Sequence, residues 1–244
     1  MNFIESIDLF FGQMWNSVAQ SANYILGPLC QKITFIGEYG LLYFAIAIIM
    51  MAFKRTRKVG VMAFGALCFG TLFTNILLKN IVQRPRPLTV YPYAEWWAQA
   101  GAVSESGHSF PSGHVTAITA FFVALIINKG YRKFIPLAVV CVGAMCVARN
   151  YLMAHYATDV IAGVMVGSLS AVCSLFVTKL IYNLLEKYPE NKFCAFCLNF
   201  SITQLAVKIF SHKSTLNGQE VAENLQNDET ENSQDGERNG EQTE

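Results

Sequence analysis

The 244-residue chain is long enough for one ordinary domain, but 53% of its residues are hydrophobic and only 14% are charged. This composition is too apolar for a soluble globular protein and predicts a lipid bilayer as the surrounding solvent. The formal net charge is +1, and no long run of Lys and Arg occurs that could track a phosphate backbone. We therefore expect no nucleic acid partner.

The first 34 residues combine apolar side chains at helical spacing with the polar residues Gln13, Asn16, Gln20 and Asn23. This pattern predicts an amphipathic helix at the membrane interface over residues 1–34. Glu5 and Asp8 stand where a signal peptide would carry positive charge, so we expect the segment to be retained.

Five apolar runs follow, each long enough to cross about 30 Å of hydrocarbon at about 1.5 Å per residue. They cover residues 36–53, 59–78, 112–127, 134–152 and 158–182. A sixth candidate over residues 193–210 is interrupted by polar residues, which favours an interfacial or partly buried helix. We predict an all-α fold, a polytopic membrane helical bundle with five to six transmembrane helices, in a membrane domain over residues 35–210.

Clustered basic residues indicate the orientation of the bundle. They lie after the first and third runs, at Lys54, Arg55, Arg57, Lys58, Lys129, Arg132 and Lys133. The positive-inside rule places these connections in the cytoplasm, so residues 79–111 and 153–157 are expected to face outward. We predict a multi-pass protein of the cell membrane.

The last segment, residues 211–244, is predicted to be an acidic disordered tail. From residue 213 onward it contains nine acidic residues against Lys213 and Arg238, with almost no large apolar side chain after Leu225. Such a segment cannot form a core, and we expect no catalytic role for it.

The seven cysteines are scattered, mostly in apolar segments, where a thiol usually packs as a small hydrophobic side chain. Cys194 and Cys197 form a lone Cys-x-x-Cys, which would suit a redox or zinc site if a second Cys or His pair stood at ligand spacing. None does, so we interpret the pair as packing residues. We expect no disulfide framework, no metal and no cofactor.

Three polar groups lie at the ends of predicted spans, where such side chains are costly unless they face water or partners. They are residues 79–87, residues 110–114 and residues 149–159. The topology puts all three on one membrane face. Cations, a hydroxyl and the free amides of a helix N-terminus together bind a dianion well. We assign phosphate binding to Lys79, Arg86, Ser112, Gly113 and Arg149.

Two histidines add chemistry that anion binding alone does not provide. His155 and Asp159 are one helical turn apart, so the carboxylate can accept the Nδ1 proton and leave Nε2 as a nucleophile. His114 can protonate the leaving oxygen and then activate water. Taken singly, such residues are more often membrane anchors, surface pairs or turns. Their combination predicts the catalytic residues His155, His114 and Asp159.

These groups resemble the type 2 phosphatidic acid phosphatase superfamily, whose motifs are Lys-x6-Arg-Pro, Pro-Ser-Gly-His and Ser-Arg-x5-His-x3-Asp. The matching segments are residues 79–87, 111–114 and 148–159, and they fall within about a third of the chain. Ala148 replaces the usual serine of the third motif. That serine is neither an assigned phosphate ligand nor a proton carrier, so activity is expected to survive. The resemblance implies a metal-independent phosphatase with a phosphohistidine intermediate.

We therefore predict an integral membrane phosphatase that hydrolyses lipid phosphate monoesters or polyprenyl diphosphates on the extracytoplasmic side. Phosphatidic acid, phosphatidylglycerol phosphate and undecaprenyl diphosphate are all compatible, because the motifs recognise the phosphoryl group. Membrane lipids are the other expected partners. Two alternatives stay open: a phosphotransferase to an alcohol acceptor, and a non-catalytic lipid-phosphate transporter whose cations merely bind the headgroup.

Three further polar residues lie near the motifs but outside the family pattern. Glu105 and His108 precede the second motif, and an exposed loop position is favoured for His108 over a role in gating or substrate binding. Arg84 is inside the first motif but not at a signature position, and could face phosphate or lipid headgroups.

Overall fold

A computed structural model describes residues 2–22, 24–100 and 105–199, and within these ranges the chain is helical and contains no β-strand. The predicted all-α class is confirmed. The helices are α1 (Phe3–Ser21), α2 (Leu26–Ile36), α3 (Leu41–Ala52), α4 (Arg57–Thr71), α5 (Lys79–Val82), α6 (Tyr93–Ala100), α7 (Gly113–Ile126), α8 (Ile135–Tyr151), α9 (Ala157–Lys187) and α10 (Lys192–Asn199).

Four helical stretches are long and apolar enough to cross a bilayer: Leu26–Ala52, Arg57–Thr89, Lys129–Tyr151 and Ala157–Lys187. Helix α7 is a shorter apolar helix, and it corresponds to the third predicted run. The first span begins at Leu26 rather than at residue 36, because α2 continues through one short 3-10 turn, Glu38–Gly40, into α3. The chain is a multi-pass membrane protein.

The N-terminal 34 residues form two helices, α1 and most of α2, where a single amphipathic helix was expected. Helix α1 begins with a capping box, in which Asn2 and Glu5 each accept the other's backbone N–H at 2.9 Å. Its interfacial position stays a prediction. The predicted tail, residues 211–244, and residues 200–210 of the sixth candidate span lie outside the described residues.

Helix α7 lies at the centre of the bundle and packs against α4, α8 and α9. Its contact with α9 depends on Gly163 and Gly167, which are four residues apart. A Cβ at Gly163 would stand 2.9 Å from the carbonyl oxygen of Ser112, and one at Gly167 would stand 2.6 Å from that of Thr116. Small residues at this spacing let membrane helices approach closely. The approach brings the N-terminal ends of α7 and α9 together, where the Ser112 N–H donates to the Asp159 carbonyl at 3.1 Å.

A π-helical turn, Leu72–Leu78, connects α4 to α5. Such turns are rare and frequently occur at functional sites, because the extra residue re-aims the side chains that follow. The Thr74 hydroxyl donates to the Thr116 hydroxyl at 3.2 Å and so ties the turn to α7. The next residue after the turn is Lys79, the first residue of the predicted phosphate site.

Candidate active site

A cavity of about 960 Å³ lies among α2, the π-helical turn, α7 and the loop between α8 and α9. Six of the eight predicted site residues line it: Lys79, Arg86, Gly113, His114, Arg149 and His155. The other two, Ser112 and Asp159, are fully buried and do not form part of its wall. The described residues contain no group of three or more His, Cys, Asp or Glu that could hold a metal ion.

Arg86 is held at the cavity by the backbone. Its Nε donates to the carbonyl of Gly107 at 3.1 Å, its Nη2 to that of Ser106 at 3.0 Å, and its Nη1 to that of Ala154 at 3.1 Å. Because the carbonyls come from both sides of the site, the guanidinium has a fixed position beside His155. Its Nη1 lies 3.4 Å from the His155 Nε2.

Arg149 is the most deeply buried cation of the site, with 0% of its surface exposed. Its Nη2 pairs with Glu105, but its Nε and Nη1 have no hydrogen-bond partner among the described residues. Buried donors without acceptors are costly, so a guanidinium in this state is well suited to an added anion.

His155 is 2% exposed, and its two ring nitrogens have different surroundings. The Nδ1 lies 2.7 Å from the carbonyl oxygen of Ser109, which can only accept, so Nδ1 carries the hydrogen and Nε2 is free to act as a nucleophile. Burial, together with the nearby Arg149 and Arg86, lowers the pKa of His155 to about 4 against the opposing effect of Asp159. The ring is therefore neutral at pH 7.

Asp159 does not make the predicted direct hydrogen bond with His155, because its nearer oxygen is 3.8 Å from Nδ1. That oxygen accepts the Tyr156 N–H at 3.0 Å, which caps α9, and also the Ser109 hydroxyl. Ser109 thus joins the two residues, with its hydroxyl on the carboxylate and its carbonyl on the imidazole. Sequence reasoning missed Ser109, which lies outside the three motifs.

Arg84 pairs with two carboxylates of the protein. Its Nη1 pairs with Asp159 at 2.6 Å and its Nη2 with Asp8 at 2.5 Å, while its guanidinium lies 3.8 Å from the centroid of the Tyr156 ring. Asp8 also accepts hydrogen bonds from the backbone and hydroxyl of Thr158. Helix α1 therefore contributes to the support of Asp159. No sequence signal indicated this role, because Asp8 is one of several polar residues in the amphipathic segment.

Glu105 is a second residue of the site that sequence reasoning did not assign. Its carboxylate bridges the two cavity arginines, at 2.7 Å from Arg86 Nη1 and 2.5 Å from Arg149 Nη2. Burial opposes its ionisation, but Arg149 and Arg86 outweigh burial and lower the pKa of Glu105 to about 2. The residue is ionised at all ordinary pH values. His108 is partly exposed, and it is not among the residues that line the cavity.

Helix α7 begins at Gly113, as predicted, with Ser112 in the N-cap position. The Ser112 hydroxyl makes no capping bond and has no partner among the described residues. His114 lines the cavity beside the turn between α2 and α3. A Cβ at Gly37 would stand 3.7 Å from the His114 ring, an ordinary contact distance, and 2.5 Å from the terminal methyl of Met145, so the turn packs directly against both side chains.

Comparison with known proteins gives consistent matches. The model of the PAP2 superfamily matches residues 59–184, which are 126 of the 244 residues. The lipid A 1-phosphatase of Rhizobium johnstonii is 31% identical over 110 residues, 45% of this chain and 44% of that protein. The decaprenylphosphoryl-5-phosphoribose phosphatase of Mycobacterium tuberculosis is 32% identical over 133 residues, 54% of this chain and 69% of that protein.

A crystal structure of a transmembrane PAP2 type phosphatidylglycerolphosphate phosphatase from Bacillus subtilis aligns with a TM-score of 0.48 and 23% identity, over 74% of this chain and 98% of that one. The chain spans less than half the length of the lipid A 1-phosphatases that it matches. The family model nevertheless covers more than half of the chain and all three motifs. The chain belongs to the PAP2 superfamily.

Proposed function

We propose that this protein is a membrane phosphatase that hydrolyses lipid phosphate esters through a phosphohistidine on His155. One observation carries the proposal: a neutral imidazole with a free Nε2 lies 3.4 Å from Arg86 in a cavity that Arg149 also lines. A phosphoryl group held by the two guanidinium groups would be presented to this nitrogen. The family membership and the names of the relatives support the same chemistry.

In the first step, Nε2 of His155 attacks phosphorus. The new P–N bond forms as the P–O bond to the lipid breaks. His114, which the negative charge of the bound phosphoryl group keeps protonated among the surrounding cations, gives a proton to the leaving oxygen. The imidazole becomes positively charged, which the Ser109 carbonyl and the nearby Asp159 stabilise. Lys79, Arg86 and Arg149 balance the charge on the phosphoryl oxygens.

In the second step, water replaces the histidine. His114, now neutral, takes a proton from the water as its oxygen attacks phosphorus, and the P–N bond breaks. The pair of electrons returns to Nε2, so His155 regains its neutral form with the hydrogen on Nδ1. Inorganic phosphate leaves, and the site is restored without a change in its net charge.

The substrate class we propose is a phosphate carried by a lipid. The cavity extends from the cations past apolar side chains of α2, α3 and the π-helical turn, which include Phe35, Phe44, Leu72 and Ile76. This wall suits an acyl or prenyl chain. The relatives are named for lipid A, a decaprenylphosphoryl sugar and phosphatidylglycerol phosphate, all of which are lipids. Phosphatidic acid, phosphatidylglycerol phosphate and undecaprenyl diphosphate are the candidates to test.

The experiment is phosphate release in detergent micelles from these three lipids, with wild type and His155→Ala compared and EDTA present throughout. We expect release by wild type and loss of release in the variant. Equal release by both proteins, or release that requires an added metal, would contradict the mechanism. Glycerol added in parallel separates the outcomes further, because glycerol phosphate as the product would indicate a phosphotransferase.

We further propose that the site opens on the extracytoplasmic side of the cell membrane, from the distribution of basic residues in the connections. Glu95, which is exposed on α6, provides the test. A cysteine at this position, in a background without the native cysteines, should react with an impermeant thiol reagent in intact cells. Labelling only after lysis would reverse the orientation.

A further inference from the structure

The carboxylate of Glu105 occupies the position that the arginines offer to an anion. Its Oε2 lies 2.7 Å from Arg86 Nη1 and 2.5 Å from Arg149 Nη2, and its Oε1 lies 2.5 Å from the same Arg149 nitrogen, so the carboxylate bridges both guanidinium groups. A carboxylate and a phosphoryl group present similar pairs of oxygens to arginine. A ligand that takes the two donor nitrogens that Glu105 occupies, Arg86 Nη1 and Arg149 Nη2, must therefore displace Glu105.

The two arginines depend on Glu105 to different degrees. Arg86 donates to three backbone carbonyls, from Ser106, Gly107 and Ala154, so its position does not require the carboxylate. Arg149 has two further donor nitrogens without acceptors in the described part of the chain. Glu105 therefore satisfies Arg149 only in part, and a ligand with more oxygens would satisfy it better.

The Glu105 side chain is also placed so that it can move away from the two arginines. Its side chain is 24% exposed and lines the cavity, whereas the side chain of Asp159 is 0% exposed and has all its partners in the protein. A partly exposed carboxylate at a cavity wall can exchange its arginine contacts for solvent, and it would be repelled by a second anion at the same place.

Resting on the proposed function, we propose that Glu105 is a specificity-determining residue that competes with the ligand phosphate for Arg86 and Arg149. A phosphate monoester dianion carries two charges and displaces the single charge of Glu105. A phosphodiester carries one charge, gains no advantage over the carboxylate, and is excluded. The residue thus restricts the site to terminal phosphate groups in a membrane rich in phosphodiester lipids.

The alternative interpretation is that Glu105 is a positioning residue that holds Arg149 in place for the ligand. The two roles predict opposite changes in anion affinity when the negative charge of Glu105 is removed. A competitor reduces the apparent affinity to the fraction of time for which it leaves the site free, so its loss strengthens anion binding. A positioning residue strengthens binding because it pre-organises Arg149, so its loss weakens anion binding.

The experiment is calorimetric titration of the full chain in detergent at mildly alkaline pH, with inorganic phosphate as the dianion and dimethyl phosphate as the monoanion. The proteins are wild type, Glu105→Gln, and Glu95→Gln as the control, since Glu95 is exposed. We expect Glu105→Gln to bind phosphate about tenfold more tightly, as for a competitor present about nine-tenths of the time. Dimethyl phosphate should gain measurable affinity, and the control should match wild type.

Unchanged or weaker phosphate binding by Glu105→Gln would overturn the proposal. Glu105→Ala guards against misfolding: its melting temperature should rise more on addition of phosphate than that of wild type, and an equal or smaller rise would also contradict competition. These measurements need no turnover. Tighter binding together with no hydrolysis of any lipid phosphate would leave Glu105 a competitor and refute the proposed phosphatase, so the two failures are distinguishable.

Discussion

Two carboxylate–arginine clusters flank His155, and they differ in burial more than in chemistry. The closed cluster consists of Asp8, Arg84 and Asp159, with carboxylate side chains that are 1% and 0% exposed. The open cluster consists of Arg86, Glu105 and Arg149, whose carboxylate is 24% exposed at the cavity wall. A carboxylate–arginine pair whose carboxylate is fully buried supports the fold. A pair whose carboxylate lies at the cavity wall can exchange its partner for a ligand.

The clusters also serve opposite sides of the imidazole. The closed cluster holds Asp159 near Nδ1, and the open cluster places Arg86 near Nε2. Arg84 and Arg86 are two positions apart in one Arg-Pro-Arg-Pro sequence. Arg84 nevertheless supports Asp159, whereas Arg86 lies beside the Nε2 of His155. Substitutions of Asp8 should therefore affect mainly stability, whereas those in the open cluster, and those of Asp159 beside the imidazole, should affect ligand binding or turnover.

The largest effect is expected from Arg149→Ala in the open cluster. Loss of a preorganised cation at the developing phosphoryl charge should lower kcat about 10²- to 10³-fold. Arg149→Lys keeps the charge without the planar fork and should lose less. Steady-state kinetics measure both, with the exposed Arg132→Ala as the control. A variant that loses stability but keeps kcat would show that Arg149 belongs with the structural cluster.

The next effect concerns pH, through the imidazole between the clusters. The pKa of His155 is lowered to about 4 in the folded protein, from 6.5 as its ordinary value. The unfolded chain then takes up the proton first, so this stabilisation is complete above pH 6.5 and is lost as pH falls through 4. Melting temperature measured against pH should fall less steeply for His155→Gln. Equal slopes of melting temperature against pH in wild type and His155→Gln would contradict a neutral, buried imidazole at His155.

A smaller effect, on stability, should follow from Asp8→Ala in the closed cluster. Removal of one partner from a buried ion pair should destabilise the fold by about 3 kcal/mol. Thermal unfolding measures the change against Gln20→Ala, an exposed position on the same helix. Phosphate affinity of the folded variant should equal that of wild type. A change in phosphate affinity as large as that expected for Glu105→Gln would remove the distinction between the clusters.

The smallest effect is expected from Ser109→Ala. The substitution removes one hydroxyl from Asp159 but keeps the backbone carbonyl that orients His155. We expect kcat to fall about tenfold, which corresponds to one hydrogen bond to a charged group. The exposed Ser17→Ala on α1, away from the cavity, is the control. No change in kcat would show that Asp159 stays in place without Ser109.

The helices and the motif residues could be predicted because their signals are local. Apolar runs indicate spans by length, and the spacing of residues such as Lys79 and Arg86 marks the end of a span. Topology alone then put three separated motifs on one face, and six of their eight residues line one cavity. Helix α7 starts at Gly113, one residue after the start of the predicted apolar run at residue 112.

The partners of the charged residues could not be predicted, because they depend on how distant segments pack. Asp8 reaches Arg84 and Thr158 only after α1 docks on the bundle. Glu105 lies in a loop without periodicity, so no pattern indicates where its carboxylate points. The i, i+4 spacing of His155 and Asp159 allowed a direct hydrogen bond, but the carboxylate instead caps α9 and accepts from Ser109.

The most direct test of the central claim is to trap the covalent intermediate. Wild type and His114→Ala are quenched during turnover of phosphatidic acid, and mass spectrometry locates the added phosphate. The mechanism predicts an acid-labile phosphate on His155 in wild type, and slower formation and slower release of it in His114→Ala, because His114 acts in both steps. Phosphate on another residue, or turnover of substrate with none on His155, would contradict the claim.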